Sequence, residues 1–239
     1  MAHFVLVHGA WHGGWCWHKL VRELEAAGHV VVAPDLPSHG EDPTPPQGVN
    51  VGHYSDFVCE IVDSLADEVI LVGHSLGGLT ITQVAELRPD RLRSLVYLAA
   101  LVPTPGSSPA GRRALTTQTL LDAIRLADDG SVSLVDPDSI REIFYADCSD
   151  EDIAFARERL RGEPASVAGG AVEVTDENWG RVARDYIVCL QDQAIPASAQ
   201  QALAEEAGCR KVYELDTSHS PFFSAPTALA EMLGQIAGS

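Results

Sequence analysis

The sequence predicts an α/β protein built on a doubly wound, mostly parallel sheet of about six strands, and three observations carry that prediction. Short β-branched apolar runs alternate with stretches of helical periodicity, the runs are apolar on both faces, and the third ends in the tight turn Gly73-His74-Ser75-Leu76-Gly77-Gly78. A strand apolar on both sides belongs inside a parallel sheet covered by helices on each face, and the intervals between these runs suit right-handed crossovers.

Taken in order, the predicted strands span residues 3–7, 29–33, 69–73, 94–99, 185–190 and 211–215. Between the first two, residues 15–27 place Trp17, Leu20, Val21 and Leu24 on one helical face and stop at Gly28. Apolar stripes mark further helices at 55–66 and 199–207, and residues 76–87 read as a helix that runs on from the tight turn and ends before Pro89. Residues 103–179 break the alternation. Pro103, Pro105 and Pro109 open this stretch, and helical patterns follow at 115–126, 138–144 and 153–160. Its length far exceeds an ordinary connection, so we read a core of 1–102 and 180–239 with an inserted helical cap at 103–179. Insertions beyond the carboxyl ends of strands lie over the ligand site in open α/β sheets, which places substrate choice in the cap.

Composition narrows the functional classes. With 239 residues, 46% of them hydrophobic and 21% charged, the chain is sized for one large, well-buried domain. A formal net charge of -18 repels nucleic acid phosphates and anionic membrane surfaces. The N-terminus runs straight into a strand with neither a basic region nor a cleavage signal, and no segment is long enough to span a membrane. Cys16, Cys59, Cys148, Cys189 and Cys209 are odd in number and lack metal-ligand spacing, which predicts free, buried thiols in a reducing cytoplasm. A homodimer is compatible with the sequence.

The turn at Ser75 is a nucleophile elbow. A serine forced out of a strand-to-helix turn needs almost no side chain two residues to either side, hence Gly73 and Gly77. A serine hydroxyl is a weak nucleophile at neutral pH and needs a base, which in turn needs an acid to fix its tautomer. His219 follows the last predicted strand and is, apart from His74, the only histidine at or beyond the elbow. It is the predicted base, and activity is expected to fall below neutral pH as it gains a proton. Asp192, in the loop after the strand at 185–190, is the predicted orienting carboxylate. Asp216 competes but stands only three residues before His219, and Asp185 begins its strand at the wrong end of the sheet.

The tetrahedral intermediate needs two backbone donors. The amide of Leu76 is one, and the loop His8-Gly9-Ala10-Trp11-His12-Gly13-Gly14 after the first strand offers the other at Ala10. A nucleotide-binding reading of this loop fails because G-x-G-x-x-G is absent, and His8, His12 and His18 lack the spacing and carboxylates of a metal site. No metal, nucleotide or other cofactor is required. Gly9, Trp11, His12 and Ser220 are expected in the substrate pocket, and His39 reads as a loop histidine.

With elbow, acid and histidine in this order, the chain resembles the α/β-hydrolase superfamily over its full length. The run from Phe4 through Trp17 to Leu20, the elbow, and Gln191-Asp192-Gln193-Ala194-Ile195-Pro196 resemble the plant methylesterase and hydroxynitrile lyase group. The resemblance implies that group's fold, triad and cap. Lyases of the group carry threonine where this chain has Gly9 and lysine where it has Ser220. The resemblance therefore implies a serine esterase acting on a small or methyl ester, with hydroxynitrile lyase, another carbon-carbon lyase or decarboxylase, and a ligand-binding receptor as alternatives.

Overall fold

In a computed structural model, which describes residues 1–104, 111 and 113–239, the six core strands form one sheet. They are β1 (His3–Val7), β2 (Val30–Val32), β3 (Val69–His74), β4 (Leu92–Leu98), β8 (Arg184–Cys189) and β9 (Lys211–Leu215). The sheet order is β2-β1-β3-β4-β8-β9, and every pairing is parallel. The three strands between β4 and β8 in the chain belong to a second sheet described below.

Alternate side chains of the central strands β1, β3, β4 and β8 enter two separate cores, which is why those runs are largely apolar. Phe4, Leu6, Ile70, Val72, Val96 and Leu98 pack on one face against α1 (His18–Ala26) and α10 (Pro226–Ala237). Val5, Val7, Leu71, Leu95 and Tyr97 pack on the other against α2 (Val51–Ser64), α3 (Gly77–Leu87) and α8 (Ala197–Glu206). Burying a side chain of this size contributes about 1.5–3 kcal/mol, so the doubly covered central strands hold much of the stability. The start of α2 precedes the predicted one because Asn50 accepts from the amides of Gly52 and His53, while the His53 ring accepts from the Asn50 amide.

The stretch between β4 and β8 differs from the all-helical expectation. The helix predicted over 115–126 is confined to α4 (Gln118–Ala123), and the chain then extends as β5 (Ile124–Leu126). Pairing with β6 (Val132–Val135) and, beyond it, β7 (Glu163–Pro164) builds a three-stranded antiparallel sheet. Ile124 and Leu126 are β-compatible in a run too short to separate from a helix by periodicity, and the partner strand decides. Helices α5 (Ile140–Phe144), α6 (Asp150–Arg157), α7 (Ala165–Ala168) and α9 (Pro221–Ser224) are further α-helices; the first three lie in this stretch and α9 precedes α10. The opening at Pro105 and Pro109 lies outside the described residues. An ion pair of 2.7 Å between Lys19 and Asp152 ties α1 to α6.

Four of the five cysteines are buried and Cys209 is half-buried, all as free thiols. Burial raises the thiol pKa at Cys16 and lifts that of Cys59 to about 11, which keeps both unreactive.

Candidate active site

The site is assembled from the carboxyl ends of β1, β3, β8 and β9. Ser75 follows β3 with φ +52, the left-handed backbone that a strand-to-helix elbow imposes. Its amide donates to the Leu98 carbonyl at 3.2 Å, while its carbonyl accepts from Gly78 and Leu101 at 3.1 Å each. These bonds hold a conformation that costs roughly 1–3 kcal/mol in isolation. A Cβ on Gly73 would stand 2.9 Å from the Gly77 carbonyl, and one on Gly77 only 2.6 Å from the His8 carbonyl. Both neighbours of the elbow must therefore be glycine.

His219 and Asp192 meet at 2.6 Å between Nδ1 and Oδ2, with the two side chains 1% and 0% exposed. The carboxylate is held from every side. Its Oδ1 accepts from the amides of Ala194 at 2.6 Å and Ile195 at 3.0 Å, and Oδ2 also accepts from Gln200 Nε2 at 2.8 Å. The carboxylate oxygens act as acceptors throughout, so His219 Nδ1–H donates to Oδ2 and Nε2 presents a lone pair. Gln200, fully buried, bonds both the carbonyl and the amide of Cys189 and the Ile195 carbonyl. Nothing in local pattern singles it out, although a polar residue facing inward from an otherwise ordinary helix is a signal in retrospect. The competing carboxylates are engaged elsewhere: Asp216 accepts from Gln191, and Asp185 holds Arg210 in a bidentate pair.

His74, next to the nucleophile in the chain, packs against His219. Its ring centroid lies 4.5 Å from that of His219, and its Nε2–H donates to the His219 carbonyl at 2.8 Å. The residue next to the serine thus braces the loop bearing the imidazole. Ser75 Oγ makes no hydrogen bond among the described residues, and in ligand-free hydrolases this contact commonly tightens only with substrate present.

The loop after β1 is set by its own histidines. His8 Nε2 accepts from the Leu36 amide at 3.1 Å, which leaves Nδ1–H to donate to the Gly9 carbonyl at 2.9 Å. His12 Nδ1–H donates to the Ala10 carbonyl at 2.7 Å, and its Nε2 accepts from the Tyr145 hydroxyl at 2.6 Å. Among the described residues the amides of Ala10 and Leu76 donate to nothing, and both border the same cavity. His18 Nδ1 is engaged with the Trp15 carbonyl, so the three histidines answer to backbone carbonyls.

That cavity, of about 560 Å³, is walled by core and inserted residues together: Trp11, Ser75, Leu76 and Ile195 from the one, Leu120 and Ile124 from the other. Gly9, His12 and Ser220 do not line this cavity. His12 is enclosed by Trp15, Phe144, Tyr145 and Phe222, Ser220 is fully buried, and a Cβ on Gly9 would stand 2.8 Å from that of Ser75. Local pattern cannot tell a residue on a cavity wall from one directly behind it. His39 lies in the loop after β2 and is fully buried.

Burial holds His8 and His74 well below the ordinary histidine pKa and lowers His12 to about 4. A lowered value means that the unfolded chain takes up the proton first, so stability is lost as pH falls from 6.5 towards 4. His12 alone accounts for on the order of 3 kcal/mol across that window. Urea unfolding midpoints should drop over this range, and His12→Gln should flatten the slope; equal slopes would show that His12 does not contribute.

A strained serine at a strand-to-helix turn, beside a buried histidine–carboxylate pair at two further strand ends, is the layout of an α/β-hydrolase. The chain belongs to the alpha/beta hydrolase family, whose model matches residues 4–232. It is 32% identical over 248 residues to methylesterase 7 of Arabidopsis thaliana, covering 98% of this chain and 95% of the relative. It is also 33% identical to an alpha-hydroxynitrile lyase of the same plant, with 98% and 96% covered. The crystal structure of polyneuridine aldehyde esterase matches with a TM-score of 0.89 at 28% identity, covering 99% of both chains. The chain is accordingly an enzyme, a serine hydrolase of the carboxylesterase type.

Proposed function

We propose that Ser75, His219 and Asp192 form the catalytic triad for hydrolysis of a small or methyl ester of an apolar acid. The observation that carries the reading is the buried Asp192–His219 pair at 2.6 Å, at the same end of the sheet as a serine that opens onto a largely apolar cavity. Ser75 Oγ attacks the ester carbonyl while His219 Nε2 takes its proton. The amides of Ala10 and Leu76 hold the oxyanion, and His219 then gives the proton to the departing alcohol. Water repeats the sequence on the acyl-enzyme and releases the acid. Asp192 keeps the imidazole in the tautomer that accepts at Nε2 and stabilises its cation. Residues 103–179 act as the cap, since Leu120, Leu121 and Ile124 face the space where the acyl group would lie. The free thiols favour a cytoplasmic setting.

Two positions argue for hydrolysis over cyanohydrin cleavage. The hydrocarbon of a threonine at position 9 would begin 2.8 Å from Ser75 Cβ, so this backbone has no room for the lyase-type side chain. Ser220 supplies no cation beside His219 to stabilise departing cyanide. A panel of methyl and p-nitrophenyl esters, with acyl and alcohol groups varied separately and mandelonitrile included, tests the reading. Methyl esters of apolar acids should turn over fastest; faster cyanide release than ester cleavage would overturn it.

A further inference from the structure

We infer that Glu163, at the start of the inserted strand β7, is a positioning residue for the oxyanion site; the inference rests on the reading of Ala10 N–H as an oxyanion donor. Glu163 is 2% exposed, an unusual place for a carboxylate, because removing its charge from water is costly unless donors replace the lost hydration. Donors are present. Oε1 accepts from the Tyr54 hydroxyl at 3.0 Å, and Oε2 lies 3.1 Å from His39 Nε2. The remaining bond goes to the backbone of the core: Trp11 N–H donates to Oε2 at 3.2 Å.

Trp11 has φ +62, a left-handed conformation that a bulky residue adopts only under external constraint. The inserted segment supplies that constraint at three points. Besides the bond to Glu163, the Trp11 carbonyl accepts from Arg161 N–H at 2.9 Å, and its indole N–H donates to the Ser133 carbonyl at 3.0 Å. The peptide joining Ala10 to Trp11 is thus gripped at both ends, by His12 on its carbonyl and by Glu163 on its N–H. The preceding peptide is held by His8 at the Gly9 carbonyl. Since N–H and C=O of a trans peptide point in opposite directions, these bonds leave the Ala10 N–H aimed away from them, bordering the cavity beside Leu76. Glu163 comes from the insertion and bonds the backbone of the loop directly, whereas Tyr145, also from the insertion, reaches the loop through the His12 ring. Glu163 couples the seating of the insertion to the direction of an oxyanion donor.

Removing the carboxylate leaves Trp11 N–H buried without that partner and the Ala10–Trp11 peptide held only by His12 at its carbonyl, which loosens the Ala10 backbone that carries the oxyanion donor. The consequence falls on the transition state, where the oxyanion forms, and little on substrate binding. In Glu163→Ala, kcat for a methyl ester should fall about tenfold to a hundredfold with KM within about twofold of wild type. Labelling of Ser75 by a fluorophosphonate, whose reaction passes through a similarly charged oxygen, should slow in step. Glu163→Gln retains an acceptor for Trp11 N–H and should recover most of the loss. If Glu163→Ala does not fold, Tyr54→Phe removes one anchor of the carboxylate without changing shape, and kcat should fall by a few fold at constant KM.

An unchanged kcat in either folded variant, a rise in KM alone, or a Glu163→Gln variant as slow as Glu163→Ala would overturn the positioning role. A wild-type chain that neither hydrolyses esters nor accepts the label would instead overturn the triad reading, and this inference with it. Normal wild-type activity alongside a normal Glu163→Ala defeats the role of Glu163 alone.

Discussion

Replacing Ser75 by alanine should lower kcat for ester hydrolysis by roughly 10⁴-fold to 10⁶-fold and leave the fold in place. The magnitude follows from the role: without the hydroxyl no acyl-enzyme forms, and only the oxyanion donors and substrate binding remain to speed attack by water. The stability expectation follows from geometry. The bonds that hold φ +52 run through the backbone of Ser75 to Leu98, Gly78 and Leu101, and alanine keeps them all. Unfolding free energy should therefore stay within about 1 kcal/mol. Kinetic assay of the purified variant together with a thermal melt checks both halves. A variant that unfolds normally and still turns over ester would remove Ser75 from the mechanism.

Asp192→Asn should cost about 10³-fold to 10⁴-fold in kcat, for a reason that can be read atom by atom. The Oδ1 position accepts from two backbone amides, so the asparagine oxygen is drawn there and its NH₂ group falls where Oδ2 stood. That site faces two donors, His219 Nδ1–H and Gln200 Nε2. Donor against donor forces the imidazole into the other tautomer, with its proton on Nε2, where it can no longer accept one from Ser75. The same mismatch leaves buried donors unpaired, at about 1–3 kcal/mol of stability. Nitrogen-resolved NMR of His219 would report the tautomer directly, alongside kcat and the urea midpoint. A variant retaining the Nδ1–H tautomer with a full loss of kcat would assign Asp192 a purely electrostatic role.

The parts of this molecule that could be read from sequence share one property: each announces itself within a few neighbouring residues. The elbow does so through glycines around Ser75, and Asp192 and His219 through their places after strands whose apolar runs are unmistakable. The parallel core is legible for the same reason, since both faces of each central strand are buried and the pattern has nothing to confuse it. What stayed hidden depends on contacts far apart in the chain. Glu163 reaches Trp11 across 152 positions and Tyr54 across 109, and no local pattern marks such a meeting. Gln200 resembles any polar helix residue until its partner is known. Ile124–Leu126 is too short for periodicity to tell strand from helix, and only the antiparallel partner at Val132–Val135 settles it. The bond from His74 likewise depends on where the His219 loop returns, 145 residues later.

The sheet order has a consequence for how activity is acquired. Ser75 leaves β3 and the oxyanion loop leaves β1, near one end of the sheet, whereas Asp192 and His219 leave β8 and β9, which close the other. These last two strands are contributed by the final quarter of the chain and join only through β4. A partly folded species with the first four strands in register would thus have its nucleophile in place and no base to activate it. Long-range parallel pairing is intrinsically slow, so catalytic competence arrives with the last strands to dock. For a refolding chain, the return of hydrolysis reports completion of the whole sheet, while the return of circular dichroism marks only its beginning.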